Sequence, residues 1–184
     1  MNELNATERS VIRNTYRPMG SDNAIDEGNI SYCSQSKLAF LGCLADWFKK
    51  KEYYSIAKKI LIEGEKEYES TPDVLDKHFF CLSGIRIHYT NRDEDEDALN
   101  KAIMYCERQI ALAPKAKQAF IKEDFSDTLP CHTGYQQLAI IFEKQKQYDK
   151  AIEITRQTLE QGWNIEDCEK RLERLEKKQA KYNI

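Results

Sequence analysis

Glycine and proline are scarce in this chain, 7 and 4 among 184 residues. A many-stranded sandwich or barrel spends such residues at every turn, so their shortage argues against that class and towards helices. Long apolar runs are missing too. Nothing nears the roughly 18 consecutive apolar residues of a membrane span, and residues Met1 to Gly20 hold neither an apolar block nor a small-residue cleavage site. A cytoplasmic protein without membrane contact is expected. Neither sign of charge dominates. A net charge of -3 supplies no concentrated basic surface, so nucleic acid is not an expected partner.

The chemistry-bearing motifs are absent as well. The glycines are isolated, with neither GxGxxG nor a GK[ST] loop, which speaks against nucleotide chemistry; no cofactor is expected. Cys33, Cys43, Cys81, Cys106, Cys131 and Cys168 are scattered without a CxxC, and without an export signal they are expected as thiols. The sequons at Asn5 and Asn29 then carry no meaning. His78, His88 and His132 show no paired zinc spacing, so no metal is expected. Asp93 to Asp97 begins like a calcium loop, but Ala98 stands where the sharp turn needs glycine and Met104 where the closing glutamate belongs. Those acids read better as complements to the positive end of the next helix. Cys131 and His132 are adjacent, and adjacent side chains usually diverge where a catalytic pair must converge. The chain is not expected to be an enzyme.

What is present is a repeat. The 41% apolar and 32% charged shares suit a helical protein with a wide wet surface. Leu41, Leu44, Ala45, Phe48, Tyr54, Ala57 and Leu61 recur at one constant offset as Tyr135, Leu138, Ala139, Phe142, Tyr148, Ala151 and Thr155. Each set places an apolar stripe with a small-residue notch on a first helix, then an aromatic and an alanine on a second. That is a helical hairpin. A third copy shows in Ala102, Cys106 and the terminal Pro114, with its first helix from Asp73 to about Thr90 and Ser70-Thr71-Pro72 as its start signal. Inside that first helix Cys81 to Ile85 allow more than one register.

These residues resemble the tetratricopeptide repeat (TPR) family over residues 35–163. The distances from Ala57 to Ala102 and from Ala102 to Ala151 exceed the roughly 34 residues of the standard repeat, so extra length is expected near Asn91 to Asp97 and Ala116 to His132. The implied fold is all-α: a short right-handed α-solenoid of about three TPR-like hairpins with a C-terminal capping helix. Residues 1–34, with Pro18, Gly20 and Gly28 and little periodicity, are expected as an extended or partly disordered arm. Residues 164–184 place Ile165, Cys168, Leu172 and Leu175 on one face and read as the cap. The stretch from Tyr135 to Trp163 is similar to terminal repeats of larger bacterial and phage proteins.

The resemblance also implies a function and a set of residues. Stacked hairpins present a concave groove built by their first helices, and matching positions put Gly42, Asp46 and Lys49, then Gln136, Ile140 and Glu143, in it, with Lys50 and Lys144 beside them. Family members that bind chaperones clamp a peptide carboxylate with Lys and Asn; Gly42 and Asp46 stand at those places here, which disfavours that ligand. The expected activity is recognition of a protein or peptide segment by a non-enzymatic adaptor or scaffold. The alternative is a structural protein that forms a homodimer through an end face or through Leu172 and Leu175 of the C-terminal helix.

Overall fold

A computed structural model describes residues 4–17, 35–123, 129–163 and 165–182. Among them are eight α-helices and no strand: α1 (Ala6–Thr15), α2 (Lys37–Trp47), α3 (Tyr54–Tyr68), α4 (Val74–Thr90), α5 (Ala98–Glu123), α6 (Thr133–Lys144), α7 (Tyr148–Glu160) and α8 (Ile165–Tyr182), with a short 3₁₀ turn at Lys51–Tyr53. The protein is all-α. None of these helices is long and apolar enough to cross a membrane. The chain divides into two compact units, Met1–Ala102 and Ile103–Ile184.

In the first unit α2 packs on both α3 and α4. Ser36 starts α2 by accepting from the Ala39 amide at 3.1 Å, the capping that an exposed helix start requires. All seven residues of the first stripe, from Leu41 to Leu61, are buried. Phe80 of α4 is wholly buried and sits between two glycines, one on α2 and one on α3. A Cβ on Gly42 would lie 3.4 Å from the Phe80 Cα and Cδ2, and one on Gly64 would lie 2.3 Å from its Cε2. Polar groups tie the same helices together. The Tyr54 hydroxyl is hydrogen-bonded to His88 Nδ1 at 2.9 Å, and Asn91 Nδ2 donates to the carbonyls of Ile87 and Lys49.

Three expectations are corrected here. Ser70 and Thr71 do not open α4; both hydroxyls donate back to the Glu67 carbonyl and close α3, while Asp73 caps α4 by accepting from Leu75 and Asp76 at 2.8 and 2.9 Å. Hydroxyls that can reach back one turn finish a helix as readily as they start one. The expected arm, residues 1–34, contains α1, which Asn5 and Glu8 open with a reciprocal capping box; its residues 1–3 and 18–34 lie outside those described. Pro114 does not end its helix, because α5 runs through it to Glu123. Proline forfeits the bond to the Ile110 carbonyl, yet Ala113 and Ala116 are buried and Phe120 packs edge-on to Trp163, so the helix beyond it gains a buried side.

The second unit is built around that turn of α5. Ala113, Tyr135 and Trp163 form one cluster with Ile110, Phe120, Leu129 and Ile154 packed against it. Gln109, fully buried, accepts the Gly134 amide at 2.6 Å and so anchors the start of α6. Helix α7 ends in a left-handed glycine, Gly162 with φ of 76°, followed by the Trp163 amide donating to Thr158 at 3.1 Å, the six-to-one bond of a Schellman stop. Lys146, φ of 61°, makes the same stop after α6 without being glycine. Helix α8 packs on α7 through Leu175, which joins Ala151 and Ile152. Of the four residues expected on its apolar face, Cys168 and Leu175 are buried and Leu172 is half-buried, but Ile165 is 53% exposed. Arg171 takes a buried place instead, since positions 168, 171 and 175 share the face that one turn of drift denies to 165.

Candidate functional site

The predicted groove residues fall on both units and meet different fates. On α2, Gly42 is buried against Phe80 and Ser83; it is a packing notch and not a groove residue, because its lack of a side chain is what lets α4 approach. Asp46, one turn on, is half-buried and faces α4. Its Oδ2 lies 3.3 Å from Lys49 Nζ and 3.9 Å from the Arg86 guanidinium of α4. Lys49 is exposed, and Lys50 is exposed at the start of the 3₁₀ turn.

The α4 side of this face is built from residues that the sequence reading did not single out. Asp76, Phe79, Ser83 and Arg86 follow at three- and four-residue spacing and therefore share one edge of the helix. Phe79 is 47% exposed, although its neighbours Phe80 and His78 are buried. Cys43 stands across from them on α2. Crowding by the neighbouring groups, and then the Asp46 and Asp76 carboxylates, hold its thiol above the ordinary value, so it stays protonated and is a poor nucleophile. The face thus offers an aromatic ring flanked by two acids and two cations. The register of α4 was the missing signal: once Asp73 is known to cap the helix, the edge from Asp76 to Arg86 follows.

On the second unit Gln136 accepts the Cys131 thiol at 3.1 Å, and Ile140 is half-buried. Glu143 is spent on α8, accepting from Arg174 at 2.9 Å and Lys178 at 2.7 Å. Burial alone would raise its carboxyl, but these two cations outweigh it and hold the group below the ordinary range. Lys144 is exposed at the helix end. A groove of about 450 Å³ does exist in this unit, between α5, α6 and α7, lined by Ile110, Ala111, Leu138, Phe142 and Ile154 with Lys150 and Glu153 at its rim. None of the four predicted residues lines it.

No family model matches the chain, and neither does any curated protein or solved structure.

Cys131 and His132 serve separate ends. His132 is 1% exposed, accepts the Tyr135 amide through Nδ1 at 3.4 Å, and packs tilted against the Tyr135 ring and edge-on to the Trp163 ring, with centroids 4.7 and 4.9 Å away. Its neighbour points its thiol at Gln136. Among the described residues no group of three or more His, Cys, Asp or Glu is placed to hold a metal ion. In the acidic run, Asp95 pairs with Lys58 at 2.7 Å and Glu94 with Lys51 at 2.6 Å, and the Asp95 carboxylate accepts the Asp97 amide just before α5.

Proposed function

We propose that this chain is a non-enzymatic interaction module, an irregular TPR-like stack of about three hairpins, that recognises a protein segment along the α2/α4 face of its first unit. The observation that carries the reading is Phe79. A ring almost half exposed, on a helix otherwise buried on most sides, is an anchor position of the kind that dominates protein contacts. Asp46, Arg86, Lys49 and Asp76 around it would set the partner's polarity and register, since charged rims contribute selectivity more than affinity. A segment with an apolar side chain and charges of both signs fits this face. The module works in the cytoplasm, without nucleic acid, in a bacterial or phage setting similar to that of the terminal repeats noted above.

The test is capture of partners by the parent chain and by a Phe79→Ser/Arg86→Glu variant, followed by mass spectrometry. Both side chains are exposed enough for the variant to keep the parent's circular dichroism spectrum. A partner captured by the parent should be lost by the variant. Retention of every partner would show that recognition lies elsewhere, and the groove between α5, α6 and α7 would be the next surface to change.

A further inference from the structure

We infer that the groove between α5, α6 and α7 in the second unit is a docking surface for a basic amphipathic helix, one whose apolar side chains are flanked by lysine or arginine. The inference stands apart from the α2/α4 reading, since it concerns the other unit and a partner of different chemistry.

Each of the three helices gives the groove one side of itself. Glu107, Ile110 and Ala111 come from α5, Leu138 and Phe142 from α6, and Lys150, Glu153, Ile154 and Gln157 from α7; three- and four-residue steps keep each set on a single helical face. The apolar lining is held from behind. Ile110 and Ile154 pack against the cluster of Tyr135 and Trp163, and Phe142 packs against the cluster of Leu175, so the hollow exists before any partner arrives. All three remain half-buried and Ala111 is exposed. The hollow of about 450 Å³ is within the size range of preformed apolar binding sites.

Charge decides what can lie there. Glu107 and Glu153 are exposed beside this lining, and among the described residues neither makes an ion pair. Neighbouring acids are engaged within the chain, Glu143 by Arg174 and Lys178 and Glu176 by Arg156. The cation of the lining, Lys150, is set over the Phe142 ring at 5.4 Å. Glu153 and Gln157 also line a second hollow along α7 and α8 with Asp149, Glu160 and Glu176, so the two hollows adjoin and together carry five carboxylates against Lys150 and Arg156. A surface of that sign repels nucleic acid and anionic lipid and draws a cationic partner. The partner's backbone follows from the helices that line the groove. They present side chains and no open sheet edge, so an extended segment would find no backbone partners there. A helix satisfies its own backbone and lays apolar residues at i, i+3, i+4 and i+7 into such a groove.

The probe is a labelled peptide of about 14 residues, long enough to form a helix, made of leucine and lysine alone with its leucines on one helical side. It is titrated into the full chain at physiological salt and followed by fluorescence anisotropy. Glu107→Lys/Glu153→Lys should weaken binding about tenfold. Glu52→Lys/Glu69→Lys makes the same change in net charge in the first unit and should weaken it less than about threefold, because salt screens charges that the peptide does not touch. Ala111→Gln puts a longer neutral side chain into the groove and should cost about fivefold or more. All five altered positions are exposed, so the circular dichroism spectrum should stay that of the parent in every variant. A peptide with serine in place of leucine keeps the charge and should bind at least about tenfold more weakly. Equal losses in the two double variants, an Ala111→Gln chain that binds like the parent, a serine peptide as tight as the leucine one, which would mean a surface for any polycation, or no binding by the parent would each overturn the inference.

Discussion

Replacing Gly64 with alanine sets two well-understood effects against each other. In an exposed helix interior the change stabilises by about 1 kcal/mol, because glycine is the poorer helix former. At Gly64 the added Cβ would fall 2.3 Å from Phe80 Cε2 and 2.7 Å from its Cζ, far inside contact distance. Phe80 has little room to withdraw. It is wholly buried, its Cδ2 and Cα lie against the Gly42 position on the other side, and its ring leans on Tyr68 with centroids 6.2 Å apart. Overpacking of this kind costs about 1–3 kcal/mol, so the net expectation is a loss of up to roughly 2 kcal/mol after the propensity gain. For a chain of this length that lowers Tm by up to about 8 °C, readable by thermal unfolding followed by far-ultraviolet circular dichroism. The companion is Phe80→Leu, whose shorter side chain vacates the clash. In a double-mutant cycle Gly64→Ala should cost clearly less in the Phe80→Leu background than in the parent. A Tm raised by Gly64→Ala alone would refute the reasoning, for it would mean that the ring does not sit in the notch.

Stability should also fall on mild acidification. Burial holds His78 and His88 down at about 4 from an ordinary 6.5; at His88 Lys101 and Lys58 act in the same direction while Asp95 and Asp97 oppose it. The unfolded chain therefore binds protons that the folded chain refuses between about pH 6.5 and 4, and stability declines across that window by up to about 3 kcal/mol per histidine, then no further from this cause. Urea midpoints measured from pH 7 to 4 check it, and a profile equally steep in a His78→Gln/His88→Gln variant would contradict it. At Lys146, left-handed with φ of 61°, glycine removes the strain of a side chain in that region; Lys146→Gly should stabilise by about 0.5–1 kcal/mol, less whatever the loss of the lysine over the Tyr182 ring, 5.6 Å away, takes back. A lower urea midpoint for that variant would count against the cap assignment.

Much of the helical layout could be read from residue order. The stripe from Leu41 to Leu61 is buried throughout, and of its echo only Phe142 and Tyr148 stay half-buried, because periodic apolar spacing is a local property of a helix. The limits of α4, expected from Asp73 to about Thr90, agree with Val74–Thr90. Signals that depend on which neighbour arrives were misread. Pro114 looked like a stop because proline usually is one, but the gain from burying Ala116 and packing Phe120 lies in contacts that no local rule contains. Helix α1 was missed because its ten residues show little apolar periodicity, and the groups that meet Glu8 and the adjoining Tyr16, namely Lys59 on α3 and Phe40 and Trp47 on α2, lie far along the chain.

By itself the sequence determined that this chain is helical, where its hairpins turn, and which side of α2, α3 and α7 is dry, since all of these follow from spacing and residue size within one segment. Tertiary structure alone decided that Gly42 is a notch for Phe80 and not part of a surface, that Asp46 faces Arg86, and that Glu143 is bound up with Arg174 and Lys178. The reason is physical: the period of a helix sets the direction of each side chain, whereas the place where two helices cross depends on how ridges from distant segments settle into one another's grooves.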